Sequence, residues 1–127
     1  MVKSWDIVKV PAELWPTEDN AESFFAVVVS SEKLRTTAGT LWLCPIRGGD
    51  ASRREPWHVP LVRTPTAFSG SKEPISEPKA IPLSTPLVFT NLVITATQQE
   101  IETVDYGTVD RKTRKRIRTN LNEYLAR

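Results

Sequence analysis

Basic residues are concentrated between two apolar runs, in the stretch LCPIRGGDASRREPWHVPL. Arg47, Arg53 and Arg54 each carry a guanidinium group, which is always charged and can hold a phosphate through two parallel hydrogen bonds. The two glycines after Arg47 let a phosphate approach the backbone closely, because they have no side chain. The stretch therefore indicates a phosphate-binding loop with Arg47 as first candidate, although a solvated hairpin loop fits the same residues equally well.

Few side chains of this sequence suit proton transfer near neutral pH. His58 is the sole histidine, and the unperturbed pKa of an imidazole lies in the right range for a general acid or base. Glu22 is a second candidate base. A lone histidine in a strand is more often structural, and an exposed loop glutamate is usually solvated, so these alternatives stay open.

Other side chains are candidates for contact with a substrate. Trp57 lies beside the basic loop, and an aromatic face next to arginines can stack a base of single-stranded nucleic acid. Thr97 and Gln98 are candidates near a later strand. Among the remaining tryptophans, exposure is expected for Trp15, like Trp57, and core positions are expected for Trp5 and Trp42.

The composition indicates one ordinary globular domain. With 127 residues, 39% of them hydrophobic and 25% charged, residues 1–127 are expected to form a single unit. A net charge of +2 means that attraction to a polyanion must come from local clusters. Cys44 is the sole cysteine, which excludes an internal disulfide and a Cys-rich zinc site, and its apolar surroundings predict a buried thiol. No apolar run approaches the about 20 residues of a membrane span, and the N-terminus has no signal-peptide pattern, so we expect a soluble cytoplasmic protein.

The elements that must position these residues are mostly strands. The first is predicted from Trp5 to Val10, and the second in FFAVVVSS, whose lack of alternation is typical of a strand buried on both faces. Two more are predicted from Thr40 to Ile46 and from Trp57 to Val62, on either side of the basic loop. Several antiparallel strands close in sequence predict a small barrel or a strongly curved sheet.

Prolines are frequent between residues 63 and 89, at positions 65, 74, 78, 82 and 86. Such spacing is too dense for a helix or a central strand, so a long loop is predicted. A solvated insertion and a partner-binding arm both fit it. One or two further strands are predicted in LVFTNLVITATQQEIETVD, followed by a turn from Asp105 to Asp110.

The C-terminal segment is the one helix that the sequence predicts. Asp110 can cap its N-terminus, and Ile117, Leu121 and Leu125 recur every four residues on one face. Before and opposite this stripe lies the run RKTRKRIR, with six cations. Such a run most often marks a solvated face, and contact with nucleic acid or an acidic peptide is the alternative.

These elements and several motifs within them resemble the PemK/MazF (Kid-like) family of toxins from bacterial toxin–antitoxin pairs. The likeness covers almost the whole chain except the proline-rich segment. It rests on WDIVKV for the family's Gly-Asp-Ile-Val, FFAVVVSS for its Arg-Pro-x-Val-Val-Val-Ser strand, LCPIR for its Pro-Ile-Thr, WHVPL for its x-x-Val-x-Leu, and QQEIETVD for its Asp/Glu-Gln-x-Arg-Thr-Ile-Asp. The five motifs occur in the family's order and are followed by a terminal helix.

The resemblance implies an SH3-like, curved small β-barrel with a C-terminal helix, a homodimer, and a cytoplasmic toxin neutralised by a cognate antitoxin. It also implies cleavage of single-stranded RNA at short sequences, without a metal or another cofactor. Such cleavage needs a group that helps the ribose 2′-hydroxyl attack, a donor for the leaving oxygen and a cation beside the phosphate. The family usually supplies an arginine at the start of the second strand and the threonine of Pro-Ile-Thr.

Both of these usual catalytic positions are changed in this chain. Phe24 stands where the family has the arginine, and Arg47 stands where it has the threonine. In the later motif, Gln99 and Glu102 replace an acidic residue and an arginine. Three functions therefore compete: an endoribonuclease with a rearranged site around Arg47 and His58, a catalytically silent member that binds nucleic acid or a protein, and a toxin that binds a different target, as gyrase-poisoning toxins of this kind of fold do.

Overall fold

The computed structural model describes six segments of the chain, which are residues 2–14, 23–48, 56–61, 63–64, 86–101 and 106–124. Several candidate residues lie outside these segments, namely Trp15, Glu22, Arg53, Arg54, Glu102 and Leu125, together with residues 65–85 of the proline-rich segment. Within the described segments, no helix is both long enough and apolar enough to cross a membrane.

Short strands and two α-helices make up most of the described segments. The strands are β1 (Ile7–Val10), β2 (Phe24–Val28), β3 (Thr40–Gly48), β4 (His58–Pro60), β5 (Arg63–Thr64), β6 (Pro86–Phe89), β7 (Ile94–Thr97) and β8 (Thr108–Val109). The helices are α1 (Glu32–Ala38) and α2 (Arg111–Tyr124), and two 3-10 turns cover Ala12–Leu14 and Gln98–Glu100. A mainly β fold with a C-terminal helix is therefore confirmed, and the SH3-like barrel stays a prediction.

The strands form one large antiparallel sheet and one small ladder. In the large sheet the order is β1-β2-β3-β6-β4, and β7 also pairs with β3. β3 has nine residues, and on the edge away from β2 it pairs first with β7 and then with β6. β5 and β8 pair separately. β3 is thus the strand that holds the large sheet together.

Two buried clusters lie on the two faces of this sheet. The first core contains Ile7, Phe25, Val27, Cys44, Ile46, Val59, Val88, Tyr106, Val109 and Ile117. The second core contains Val2, Val8, Val10, Ala26, Val28, Leu41, Leu43, Ala96 and Ile101. Because successive side chains of a strand point to opposite faces, β2 contributes alternately to both cores. The prediction that β2 is buried on both faces is confirmed.

The single cysteine is a structural residue. Cys44 lies in the first core and has no exposed surface. Burial raises the pKa of the Cys44 thiol to about 12, because a thiolate would lose its hydration there. The thiol therefore stays protonated near neutral pH, and the predicted buried thiol is confirmed.

Helix α2 packs against the first core. The backbone N–H of Thr113 donates to the Asp110 carboxylate at 2.9 Å, which confirms Asp110 as the N-cap. Hydrogen bonds from the Thr113 side chain and backbone lower the pKa of the Asp110 carboxyl. Ile117 is fully buried and Leu121 is half-buried against the first core. The predicted apolar stripe is therefore confirmed for these two residues.

Two segments predicted as irregular contain strands. Arg63–Thr64 lies at the start of the segment predicted as a long loop. Pro86–Phe89 overlaps the end of that segment and the start of LVFTNLVITATQQEIETVD, where one or two strands are predicted, and this prediction is confirmed by Pro86–Phe89 and Ile94–Thr97. Pro86 is tolerated because it is the first residue of its strand. Thr108–Val109 lies inside the predicted turn from Asp105 to Asp110 and pairs with β5. This pairing joins residues that are distant in sequence, so no local pattern indicates it.

Helix α1 is absent from the sequence prediction. Its seven residues are too few to show a periodic apolar stripe. The sequence signals for this helix are the capping residues at its two ends. The Ser31 hydroxyl accepts a hydrogen bond from the backbone N–H of Leu34 at 3.3 Å, and Gly39 follows the helix with a φ of 66°.

The burial of the tryptophans differs from the prediction at Trp42 and at Trp57. Trp42 is 46% exposed, so its predicted place in the core is wrong. β2 ends opposite Leu43, the backbone N–H of Val29 just beyond it donates to the Trp42 carbonyl, and the neighbour of Trp42 in β7 is the exposed Thr95, so Trp42 lies at the margin of the first core. Trp5 packs half-buried against the first core. Trp57, which was expected to be exposed, is half-buried.

Candidate functional site around Arg47 and His58

The sheet face that carries the second core also carries Arg47. Phe25 of β2 lies opposite Ile46 of β3 at the end of their antiparallel register, and Phe24 and Arg47 are the next residues beyond this pair, on the same side of the sheet. On the other edge of β3, Leu87 of β6 lies opposite Arg47. The Arg47 side chain is therefore half-buried between the half-buried Phe24 and the buried Leu87.

His58 lies on the same face, in the edge strand β4. It pairs with Phe89 of β6, and their two rings stack with centroids 4.1 Å apart and 13° between their planes. The Trp57 ring meets the His58 ring edge-on, with centroids 6.0 Å apart. Both the backbone N–H and the hydroxyl of Thr90 donate to the Trp57 carbonyl, which fixes the chain just before His58. The imidazole is thus held in aromatic surroundings and is half-buried.

Arg47 and His58 occupy neighbouring rows of this face. β6 connects them, because Leu87 pairs with Arg47 on one side and with Pro60 on the other. His58 is therefore two strands across and two residues along from Arg47, which places their Cα atoms about 12 Å apart at ordinary sheet spacings. Both side chains rise from the same face, on either side of the row that contains the buried Leu87.

Thr97 and Gln98 lie at the other end of β3. Thr97 pairs with Thr40, and position 40 is about 23 Å along the strand from Arg47 and points to the opposite face. The backbone N–H and the hydroxyl of Thr97 donate to the Glu100 carboxylate at 2.8 and 3.1 Å. These bonds begin the 3-10 turn that contains Gln98. The structure therefore separates Thr97 and Gln98 from the other candidates.

Arg47 is the only permanently charged side chain on this face among the described strands. The surrounding residues of β1, β2, β3, β4 and β6 are apolar, namely Val8, Val10, Phe24, Ala26, Pro45, Pro60 and Leu87. In apolar surroundings a cation interacts with an anion more strongly than in water, because the local dielectric is lower. The position suits a guanidinium that binds one phosphate.

No protein-family model and no curated protein sequence matches this chain. Solved structures do match it. An endoribonuclease in complex with its cognate antitoxin, from a mycobacterial species, has a TM-score of 0.67 at 13% identity, over 98% of this chain and 94% of that chain. MazF from Deinococcus radiodurans has a TM-score of 0.66 at 12% identity, over 96% and 94%. The Mycobacterium tuberculosis toxin MazF-mt6 has a TM-score of 0.61 at 10% identity, over 94% of each chain. The chain has the MazF fold.

The MazF fold gives the departures at residues 24 and 47 a geometric meaning. In the sequence resemblance, these are the positions of the usual arginine and the usual threonine. They are the next positions beyond Phe25 and Ile46, where the register of β2 with β3 ends, and facing residues of a regular antiparallel sheet have Cβ atoms about 5 Å apart. The pair therefore still contains one arginine, carried by β3 instead of β2. The sequence comparison relates Arg47 to the threonine, and the register adds that it neighbours the position of the absent arginine.

Two aromatic residues of this face were not among the candidates. Phe24 is a departure from the resembled family's motif, and Phe89 lies in a run predicted to contain strands, but the sequence does not indicate that this strand pairs with the one that carries His58. The apolar run PLVF was the available signal for a strand there. Glu22, Arg53 and Arg54 lie outside the described residues, so their candidacy stays a prediction.

Proposed function

We propose that this chain is the toxin of a type II toxin–antitoxin pair and cleaves single-stranded RNA at selected sequences without a metal ion. The observation that carries the proposal is the position of Arg47. On a MazF fold, it is the cross-strand neighbour of the position that usually supplies the catalytic arginine, and it shares its face with His58. The chain thus keeps a cation and a proton-transfer group on one surface.

In this proposal Arg47 binds the phosphate that is to be cleaved. Its two parallel N–H donors hold the non-bridging oxygens and stabilise the charge that develops on them in the transition state. Phe24 and Leu87 on either side restrict the guanidinium and keep the local dielectric low. A donor that is already oriented does not have to reorganise during the reaction, which is the source of its catalytic effect.

His58 accepts the proton of the ribose 2′-hydroxyl while the 2′-oxygen attacks phosphorus. The bond from phosphorus to the 5′-oxygen breaks, and the imidazolium returns the proton to that oxygen. The products are a 2′,3′-cyclic phosphate and a 5′-hydroxyl, so no water, metal or cofactor is consumed. Glu22 is the alternative base in this proposal.

The remaining candidates contact the RNA on either side of the scissile bond. Trp57, half-buried beside His58, stacks a base, and Arg53 and Arg54 add charge in the segment between β3 and β4. Thr97 and Gln98 lie too far along β3 to contact the same nucleotide. They contact the RNA several nucleotides away or contribute from a second subunit.

The proposal includes a homodimer, a cytoplasmic location and a cognate antitoxin. Support comes from structures of the same fold, since the mycobacterial endoribonuclease was solved with its cognate antitoxin and a MazE-MazF structure is known from Deinococcus radiodurans. Expression of this chain is expected to stop growth, and co-expression of a cognate antitoxin is expected to restore it. Light scattering of the purified protein measures the oligomeric state.

Cleavage of labelled single-stranded RNA in the presence of EDTA tests the catalytic proposal. Wild type is expected to cleave, with mass spectrometry showing the cyclic phosphate. Arg47→Ala is expected to lower the rate about 10² to 10³-fold, because one preorganised donor group is lost. Lys33→Ala, which removes a charge from an exposed position of α1, is the matched control and is expected to cleave like wild type. Cleavage that survives Arg47→Ala overturns the role of Arg47.

A catalytically silent binding protein is the second candidate function. One observation favours it: the His58 ring is packed against the rings of Phe89 and Trp57, as expected for a structural histidine. In that case the protein binds RNA or a protein partner through its cations and leaves varied RNAs intact in the same assay. The absence of cleavage from all RNAs tested, with binding retained, selects this function.

A further inference from the structure

The six cations of the run RKTRKRIR do not all serve one purpose. Arg114 turns inward, where its Nε donates to the Val109 carbonyl at 2.7 Å and its Nη2 to the Thr108 hydroxyl at 3.2 Å. Arg118 lies over the Trp5 ring, 5.2 Å from the ring centroid. These two cations therefore stabilise the fold. The other four are exposed, as Arg118 is: Arg111, Lys112, Lys115 and Arg116.

Lys112 and Arg116 lie on the flank of α2 that faces β4. They are four residues apart, so they lie one above the other, and the same row continues to Asn120. The Asn120 side chain donates to the Pro56 carbonyl at 3.2 Å, and α2 packs beside β4. Arg116 is thus one helical turn, about 5.4 Å, from the residue that ties α2 to the start of β4.

Arg111 and Lys115 lie on the other side of the exposed surface. Their row is rotated away from Asn120, toward the flank where Arg118 covers Trp5. α2 therefore carries two pairs of exposed cations with the same spacing. One pair faces the edge of the sheet at β4, and the other does not.

The β4 edge connects the proposed active site to α2. Pro56 directly precedes Trp57 and His58, and β4 is the last strand of the large sheet. α2 packs on the first core, which is the face of the sheet opposite to Arg47. An RNA strand that crosses His58 and continues over this edge therefore meets Arg116 next.

The exposed surface of α2 has the chemistry of a nucleic-acid contact and not that of a protein interface. Its exposed side chains include no large apolar residue among those described; they are Arg111, Lys112, Lys115, Arg116, Arg118, Thr119, Asn122 and Glu123. The centre of a protein–protein interface is apolar and poor in lysine. Interfaces with nucleic acid are polar and strongly cationic.

Helix stability alone does not favour this placement of charge. The first turn of α2 contains Arg111 and Lys112 and no acidic residue. The N-cap carboxylate of Asp110 attracts Lys112, but the helix dipole disfavours both cations at this end. Like charges four residues apart also repel, as in the pair of Lys112 and Arg116. A bound polyanion removes both unfavourable effects.

We propose that Lys112 and Arg116 bind backbone phosphates of the RNA strand where it leaves the Arg47 site across β4. The inference rests on the proposed function, because it takes the same RNA as its ligand. Since the contact is to phosphates, it does not depend on the base sequence. It adds affinity only for strands long enough to reach from β4 to α2.

Two double variants test the proposal with matched charge and spacing. Lys112→Gln with Arg116→Gln removes the pair that faces β4, and Arg111→Gln with Lys115→Gln removes the other pair. The probes are fluorescein-labelled single strands of about five and about fifteen nucleotides, within the range of known single-strand sites. Every ribose carries a 2′-O-methyl group, so the probes cannot be cleaved through a 2′-hydroxyl. Fluorescence anisotropy at low salt gives the dissociation constants.

The first variant is expected to lose on the order of tenfold in affinity for the long strand and little for the short one, whereas the second loses less than about threefold for either. Equal losses in both variants overturn the proposal, because they indicate a general effect of charge. Competition by polyglutamate as effective as that by unlabelled RNA also overturns it and assigns the surface to an acidic protein segment. Circular dichroism and thermal unfolding of both variants exclude misfolding as the cause.

The same protein preparations separate this inference from the proposed function. If no RNA is cleaved by wild type but the first variant alone loses affinity for the long strand, the catalytic proposal fails and the α2 contact stands. If Arg47→Ala abolishes cleavage while both helix variants bind the long strand like wild type, the catalytic proposal stands and the α2 contact fails.

Discussion

Arg47 and the pair formed by Lys112 and Arg116 are cations in very different surroundings. Arg47 is a single half-buried guanidinium between Phe24 and Leu87 on a sheet face. Lys112 and Arg116 are exposed on a helix. A charge pair in apolar surroundings interacts several times more strongly than one in water, and salt screens the exposed pair most. The same contact between cation and phosphate therefore has different consequences in the two regions.

The supporting elements increase this difference. β3 is paired on both edges, with β2 on one and with β6 on the other, so the backbone at Arg47 is fixed by the whole sheet. The exposed lysine and arginine of α2 keep most of their rotamer freedom, and ordering them on binding opposes the interaction. We therefore expect changes at Arg47 to alter the rate of cleavage, and changes on α2 to alter affinity and its dependence on salt.

Exchange of the residues at positions 24 and 47 has the largest expected effect. Arg47→Thr is expected to lower the rate about 10² to 10³-fold, because the transition state loses its cation. Addition of Phe24→Arg is expected to raise the rate again by at least about tenfold. The new arginine is on the adjacent strand, where its Cβ would be about 5 Å from that of residue 47 in a regular sheet. Single-turnover kinetics at saturating RNA measure both rates.

Lys33→Thr removes one positive charge from α1 and is expected to leave these rates unchanged. If the double variant is no faster than Arg47→Thr alone, an arginine at position 24 does not replace Arg47, and the guanidinium is required on β3. Recovery of the rate supports the view that an arginine at either position 24 or position 47 can bind the same phosphate.

The dependence of binding on salt distinguishes the two regions at the level of affinity. For single strands, the logarithm of the binding constant falls with the logarithm of salt concentration by about 0.7 for each phosphate neutralised. Loss of Lys112 and Arg116 together is expected to reduce this slope by about 1.4, and Arg47→Gln by at most about 0.7. Titrations of uncleavable RNA at several NaCl concentrations provide the slopes. A slope unchanged by the loss of both helix cations would show that they release no counterions.

Substitution of Asp110, the N-cap of α2, tests whether the stability of this cationic helix depends on the carboxylate at its N-terminus. Asp110→Ala is expected to lower the free energy of unfolding by about 1 kcal/mol, because the N–H of Thr113 loses its acceptor. Urea denaturation measures the change. Ile117 remains buried in the first core, so the fold is expected to persist, and cleavage of short RNA by Asp110→Ala is expected to match wild type.

Asp110→Asn separates the charge of the cap from its hydrogen bond. The pKa of Asp110 is lowered from its ordinary value of 3.8 in the folded chain, so its ionised form stabilises the fold above that pH. The contribution is lost as the pH falls through the folded pKa. The difference in unfolding free energy between wild type and Asp110→Asn should therefore be largest near neutral pH and shrink in acid. A constant difference down to the acid limit contradicts a stabilising charge.

The elements that sequence predicts well are those with a local pattern. The apolar run of β2, the stripe of Ile117 and Leu121, and the cap at Asp110 all follow from residues near one another in the chain. β5 and β8 do not, because they join residues 63–64 to residues 108–109. α1 is too short for periodicity, and the exposure of Trp42 depends on where its neighbouring strand ends.

The candidate site shows the same limit. Residue types alone pointed to Arg47 and His58, because few side chains bind phosphate or transfer protons. Their relation to Phe24 and Phe89 depends on which strands pair and in which register, and this is not encoded in any local sequence pattern. The sequence also shows six cations in the run RKTRKRIR, but it does not indicate that Arg114 and Arg118 make contacts that stabilise the fold.

Trp5, on the flank of α2 away from β4, provides the smallest expected effect. Its φ of 72° lies in the left-handed region that bulky residues avoid. The PemK/MazF family, which the sequence resembles, usually has glycine at this position. The N–H of Trp5 donates to the Val28 carbonyl at 2.7 Å, and its own carbonyl accepts from the N–H of Val109 at 3.0 Å. These bonds hold the backbone in place. Trp5→Gly is therefore expected to be more stable than Trp5→Ala by about 0.5 to 1 kcal/mol, the reverse of the usual order.

Both variants of Trp5 lose the same contact with Arg118, so the difference in their stability reports the backbone at position 5. Gly39→Ala gives the reference size of such a backbone effect. Gly39 has a φ of 66°, and a Cβ there meets nothing within 4 Å, so its substitution reports the backbone effect alone and is expected to lower stability by about 0.5 to 1 kcal/mol. If Gly39→Ala shows this loss while the two Trp5 variants unfold alike, the backbone at position 5 relaxes once the indole is gone. The indole and Arg118 would then hold the left-handed conformation, and not the bonds to Val28 and Val109.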